Sequence, residues 1–173
     1  DDIDRLAIEI GECRHVGIEV LPPDINESYP EFAVVPGKNQ IRFGMNAIKN
    51  VGSGAVEDIL RAREEGHFNT LEDIFTRINP RVVNRKALES LIKAGALDGF
   101  SDRSTLLENM DSLLAFASRI QKERMAGQVG LFADDMVEEM TPKINLENAT
   151  IIYNKQEQLK WERDLLGLYL SEH

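Results

Sequence analysis

Apolar residues along this chain recur mostly at intervals of three and four, the spacing that places them on one face of an α-helix. Near the start, Ile3, Leu6, Ala7, Ile10 and Cys13 follow this spacing, and Gly17 ends the segment. The same period continues in residues 55–62, 71–78, 88–92, 106–120 and 159–166. The pattern predicts a mainly α fold.

One stretch predicts β-structure instead. Residues 32–35 and 40–43 flank Pro36-Gly37-Lys38-Asn39, which predicts a small β-hairpin. Just before it, Pro22-Pro23 interrupts regular structure, and residues 24–26 are expected to form a loop. Two strands alone are marginally stable in water, so the hairpin must pack against the helices.

Capping residues set the expected helix ends. Thr70 with Asp73 resembles a capping box, and Asn84 and Asn154 are placed to cap the helices that follow them. Residues 101–126 carry an uninterrupted apolar period and predict one long helix. From residue 128 to 149 the chain turns acidic and loses its period, which predicts a flexible tether.

Residues 48–63 predict a helix, a tight turn and a second helix. The turn is Val51-Gly52-Ser53-Gly54, and its two glycines are expected to adopt positive φ. Gly54 also begins the second helix, whose first N–H groups then point outward and can bind phosphate. This is the pattern of a helix-hairpin-helix motif, which holds the nucleic-acid backbone without reading sequence. The alternative is an ordinary αα-hairpin. The candidate contacts are Lys49, Asn50, Val51, Gly52, Ser53, Gly54 and Ala55.

Residues 70–95 predict a second helix, turn and helix directly after the first. Its turn lacks glycine, but basic residues surround it, and the candidate DNA contacts are Arg81, Asn84, Arg85 and Lys86. The alternative for these side chains is a solvated helix face. The net charge is −10, yet residues 77–93 are basic while residues 1–31 and 134–147 are acidic. Any phosphate contact is therefore expected to be local to the two hairpins.

The remaining chemistry-bearing residues exclude several classes of protein. The chain has one cysteine and three scattered histidines, so we expect neither disulfides nor metal, and a cytoplasmic location. No membrane span or signal peptide is predicted. No phosphate-binding loop or nucleophile elbow is present, so no catalytic residue is assigned.

The tether carries a second candidate site. Gln128, Leu131 and Phe132 place a Leu-Phe pair in a polar segment that offers little to bury it. Such anchors bind partner grooves as short extended peptides. The alternative is that the pair folds back on the preceding helix.

Four strings resemble the C family of bacterial replicative DNA polymerases: GECRHVGIEVLPPDINES (residues 11–28), IRFGMNAIKNVG (41–52), VVNRKALESLIKAGALD (82–98) and LLGLYLSEH (165–173). Their order and spacing also match. The resemblance implies a template-directed nucleotidyltransferase whose catalytic carboxylates and magnesium belong to a palm domain preceding such a segment. No cofactor is expected in this segment itself.

The resemblance also implies a division of the chain. Residues 1–40 would be the end of the fingers domain and the approach to the β-hairpin, and residues 41–127 the tandem helix-hairpin-helix DNA-binding domain with its long helix. Residues 128–149 would be the tether, and residues 150–173 a terminal helix leading to an OB domain. Gln128, Leu131 and Phe132 match the family's peptide for the sliding clamp (beta subunit). The implied partners are double-stranded DNA, the clamp and other holoenzyme subunits.

Two other interpretations stay open at this point. An error-prone polymerase of the same family would share the hairpins. A stand-alone helix-hairpin-helix DNA-binding or repair protein would share them as well.

Overall fold

The computed structural model describes residues 2–127, 142–168 and Leu170, and these are mainly helical, as predicted. The helices are α1 (Asp2–His15), α2 (Ser53–Arg63), α3 (Leu71–Arg77), α4 (Arg85–Lys93), α5 (Arg103–Glu108), α6 (Met110–Gly127) and α7 (Lys155–Leu166). The strands are β1 (Glu19–Leu21), β2 (Ala33–Val34) and β3 (Gln40–Arg42), and Met45–Ala47 forms one turn of 3₁₀-helix.

The predicted β-hairpin is confirmed, but the sheet has a third strand. β2 pairs antiparallel with β3, and β1 pairs parallel with the other edge of β3, with Val20 opposite Ile41. The strand Glu19–Leu21 was not predicted from the sequence. A strand of three residues just before Pro22 carries little local signal, because its pairing partner lies some twenty residues further along.

Hydrogen bonds between side chains and backbone groups attach the loop after β1 to the helices. The Asn26 amide donates to the carbonyl of Phe68 at 2.9 Å and accepts from the N–H of Phe68 at 2.8 Å. The Arg63 guanidinium donates to the carbonyls of Ile25 and Ser28 at 3.1 and 2.7 Å. These bonds join the sheet region to α2 and to the segment before α3.

A single apolar cluster joins the elements. Its largest fully buried side chains are Phe43, Phe68, Phe75, Ile25, Met45, Ile48, Ile59, Ile74, Leu88, Leu91, Ile92 and Leu97. They come from the sheet region, the 3₁₀ turn, α2, α3, α4 and the short segments beside these elements. The hairpin helices therefore lie on one continuous core, whose burial is the main stabilising contribution.

The predicted caps are confirmed. Thr70 and Asp73 form a reciprocal capping box at α3, as Asn154 and Glu157 do at α7. The Asn84 side chain accepts from the N–H of Ala87 at α4.

The single long helix predicted for residues 101–126 is wrong, because it is divided at Asn109 into α5 and α6. The Asn109 amide nitrogen donates to the carbonyls of Thr105 and Glu147, both at 2.8 Å, and its oxygen accepts from the N–H of Glu147 at 2.9 Å. Glu147 lies 38 residues from Asn109 along the chain, beyond the reach of local periodicity.

The last part of the predicted tether lies along the helices. Residues 142–149 have no regular structure, but Ile144 and Leu146 pack against the core. Glu147 makes the contacts to Asn109, and the Thr150 hydroxyl donates to Glu108 at 2.6 Å. This segment thereby leads back to the start of α7.

A buried ion pair attaches α7 to α5. Arg103 donates to Glu162 at 2.9 Å, and their side chains are 6% and 1% exposed. Arg103 also pairs with Asp98, which is half exposed, and donates to the carbonyl of Lys93. Glu162 in turn accepts from the N–H of Leu170 at 3.0 Å.

We predict unequal costs for removing the two acids that pair with Arg103. Glu162→Ala should lower the free energy of unfolding by about 3–5 kcal/mol, because it leaves a buried guanidinium without its buried partner. Asp98→Ala should cost about 1 kcal/mol or less, because the Asp98 side chain is half exposed and solvent screens its pairing with Arg103. Urea unfolding of both variants measures the difference, and equal costs would contradict this account of the pair.

Candidate nucleic-acid interface

The first hairpin differs from the prediction in two respects. Its leading helix is only the 3₁₀ turn Met45–Ala47. Positive φ falls on Asn50, at 71°, while Gly52 has φ −75° and neither Gly52 nor Gly54 is left-handed. The expectation that Gly52 and Gly54 adopt positive φ was therefore wrong. Asparagine tolerates the left-handed region better than other side chains do, so Asn50 makes the reversal.

The folded chain does not itself require either glycine. A Cβ added at Gly52 would meet no atom within 4 Å, and one at Gly54 would meet only Val82 Cγ1, at 3.6 Å. Both residues are exposed. Because neither glycine has a side chain, the space between the backbone and the solvent is open here.

α2 is the α-helix of this hairpin, and no side chain caps its N-terminus. Gly52 is the N-cap residue, and no acidic residue lies in the first turn. The first helical bond runs from the N–H of Val56 to the carbonyl of Gly52, so the N–H groups of Ser53, Gly54 and Ala55 precede it. By contrast, side-chain oxygens cap α3, α4, α5 and α7. The positive end of the α2 dipole is thus left to solvent.

One face of α2 holds the second turn in place. Gly54 lies against Val82. One helical turn on, Asp58 accepts from the N–H of Asn79 at 2.7 Å. After a further turn Arg61 donates to the carbonyl of Arg77 at 2.8 Å. The two turns are therefore packed side by side.

The predicted contacts at the second turn, and Lys49 of the first, differ in whether other residues of the chain already bind them. Arg81 and Lys86 are exposed. Arg85 is exposed but forms an ion pair with Asp111, and the Asn84 oxygen is used as the α4 cap. Lys49 is exposed, and its backbone N–H donates to the carbonyl of Leu165 at 3.0 Å.

A small cavity of about 140 Å³ joins the two turns on the α7 side. Asn50 of the first turn and Lys86 of α4 line it together with Trp161. The ammonium of Lys93 lies 5.3 Å from the centre of the Trp161 ring. Trp161 was not assigned to the candidate interface from the sequence, because it arrives there only through the packing of α7 against α4, which also places it beside Lys93.

Glu89 is the acid within this basic surface. A hydrogen bond from Lys93 and the positive charges of Lys93, Lys86 and Arg85 hold the pKa of its carboxyl below the usual value, against the opposing effect of partial burial. Glu89 therefore stays ionised at neutral pH and offsets part of the charge that Lys86 presents.

The remaining candidates lie elsewhere. Gln128, Leu131 and Phe132 fall outside the described residues. Within the ranges that the structure describes, no group of three metal-ligating side chains could hold an ion, and no helix is long and apolar enough to cross a bilayer.

We predict that Gly54→Ala leaves the fold intact and raises the free energy of unfolding by about 0.5–1 kcal/mol. The residue is helical with negative φ, and the added methyl group makes only ordinary contact with Val82. Thermal or urea unfolding measures the change. A loss of stability would show that the fold itself needs this glycine.

Comparison with known proteins agrees with this geometry. A family model described as "Helix-hairpin-helix motif" matches residues 17–106, which include both hairpins. The chain is 42% identical to DNA polymerase III subunit alpha of Thermus aquaticus over 99% of its length, 41% to that of Neisseria meningitidis and 36% to that of Campylobacter jejuni, each over 100%. It spans only 13% of the first relative and 15% of the other two.

The predicted resemblance is thus confirmed along the chain, and the error-prone and stand-alone interpretations receive no such match among these relatives. The chain belongs to the helix-hairpin-helix family, and its relatives over its whole length are alpha subunits of bacterial DNA polymerase III.

Proposed function

We propose that this chain is a non-catalytic part of a replicative DNA polymerase that holds duplex DNA by its backbone, without sequence preference. The observation that carries the proposal is the start of α2. Three N–H groups precede the first helical bond there, no side chain caps them, and the two exposed glycines leave room for a phosphate to approach.

The second turn supports the same role with side-chain charge. Its contact with Gly54 places it beside the α2 start, and Arg81 and Lys86 are exposed there. The overall charge of −10 disfavours binding elsewhere on the surface. We therefore expect weak, strongly salt-dependent affinity, about 10⁻⁴ to 10⁻⁶ M at physiological salt.

The whole polymerase would supply the chemistry. In the family that the chain resembles, catalytic carboxylates and magnesium belong to a palm domain, so this segment would steady the product duplex while synthesis proceeds elsewhere. The other partners would be subunits of the polymerase III holoenzyme, in the cytoplasm.

The double variant Gly52→Ala/Gly54→Ala tests the backbone contact. We expect its affinity for a fluorescein-labelled 20-base-pair duplex to fall roughly tenfold or more at low salt, since methyl groups keep phosphate from the N–H groups. Fluorescence anisotropy measures the binding, and urea unfolding should show little loss of stability.

Gly11→Ala/Gly99→Ala is the matched control. A Cβ at either position meets no atom within 4 Å, and both lie outside the hairpin turns. This control should bind duplex as the unaltered chain does. If both double variants bind equally well, the α2 start does not contact DNA.

We further propose that Gln128, Leu131 and Phe132 dock in an apolar groove of the sliding clamp. The support is the Gln-x-x-Leu-Phe pattern, followed at once by acidic residues in the sequence. Linking a weak duplex contact to a clamp contact makes the second binding event intramolecular, so processivity would come from the combination.

The clamp proposal predicts that Leu131→Ala/Phe132→Ala abolishes binding to purified clamp in calorimetry. Removing both apolar anchors leaves the peptide without the side chains that fill the groove. Duplex binding measured by anisotropy should be unchanged. Retained clamp binding would show that the peptide is assigned to the wrong residues.

A further inference from the structure

An arginine-rich groove lies beside the second turn and has no role in the interface described so far. It has a volume of about 210 Å³ and is lined by Arg61, Thr76, Arg77, Ile78, Asn79, Gln121 and Arg124. Its walls come from the end of α2, the end of α3 and the last turns of α6. The Gln121 amide donates to the Asn79 side chain at 3.0 Å, which fixes α6 against the turn.

The arginines of this groove differ in their exposure and in how many bonds they make within the chain. Arg77 is mostly covered, donates to the carbonyl of Gly66 at 2.9 Å and lies over the ring of Phe68, so it is part of the fold. Arg61 is 54% exposed although it pairs with Asp58 and donates to the carbonyl of Arg77. Arg124 is exposed and forms no ion pair with any residue in the described ranges.

The acids near the groove leave part of this charge available. Asp58 is only 10% exposed and uses both oxygens, one for Arg61 and one for the N–H of Asn79. Glu65 and Asp73 lie on the Arg77 side. Arg61 and Arg124 therefore present guanidinium groups to solvent at the open side of the groove.

The groove lies two helical turns beyond the start of α2. Gly54, Asp58 and Arg61 lie on one face of α2, and Arg61 is seven residues from Gly54, about 10 Å along the helix axis. The groove therefore lies on the same face of α2 as its contact with the second turn.

We propose that this groove is a second phosphate site, in which Arg61 and Arg124 bind the backbone of the same duplex as the α2 start. The proposal rests on the proposed function. Guanidinium groups suit this task because they bind phosphate oxygens through paired donors. Asn79 and Gln121 hold the two walls at a fixed separation.

Arg61→Gln/Arg124→Gln tests the groove against the 20-base-pair duplex. Its affinity at low salt should fall roughly three- to tenfold. The slope of log affinity against log salt concentration should become shallower by about two, one for each lost phosphate contact. Arg124→Glu alone should also weaken binding, and since Arg124 makes no described ion pair this variant leaves the fold unchanged.

Arg5→Gln/Arg119→Gln is the matched control, because it removes the same charge. Arg5 lies on α1, and Arg119 lies about 140° around α6 from Arg124. Its salt slope should stay unchanged, and Arg61→Lys should recover part of the loss caused by Arg61→Gln.

The outcomes separate this proposal from the proposed function. If the groove variants match the control while Gly52→Ala/Gly54→Ala still loses binding, the groove is not a phosphate site although the α2 start is. If the unaltered chain does not bind duplex at low salt, both proposals are overturned.

Discussion

The carboxylate of Asp58 is the contact on which the tandem arrangement depends. Its side chain is nearly buried, and its two oxygens join Arg61 of α2 to the N–H of Asn79 in the second turn. A buried carboxylate is stable only when its acceptors are filled, so this bond fixes where the second turn lies. Because the two turns are held side by side, one phosphate backbone could reach both of them.

Contacts between distant parts of the chain also place α7 at the candidate interface. The buried pair of Arg103 and Glu162 attaches α7 to α5, and the carbonyl of Leu165 accepts from the N–H of Lys49. α7 thus lies behind the first turn and brings Trp161 beside Lys86. The surface near the hairpins is therefore built from residues more than a hundred positions apart along the chain.

Local chemistry accounts for what could be predicted. The caps at Thr70, Asn84 and Asn154 were predictable, because each cap bonds to a residue three positions later. Three features were not predictable. The strand Glu19–Leu21, the break at Asn109 and the charge pairing of Arg85 with Asp111 all depend on partners 20 or more residues distant.

The sequence by itself determined the helical class, the two hairpins and their basic centre, because periodicity, caps and charge are local properties of the chain. Tertiary structure alone decided which residue reverses the first turn, and it shows that the fold requires neither glycine there. Asn50 takes the positive φ, which leaves Gly52 and Gly54 with ordinary backbone and open space before them. That distinction needs the positions of neighbouring atoms, since a glycine in sequence does not reveal whether its turn or its surroundings require it.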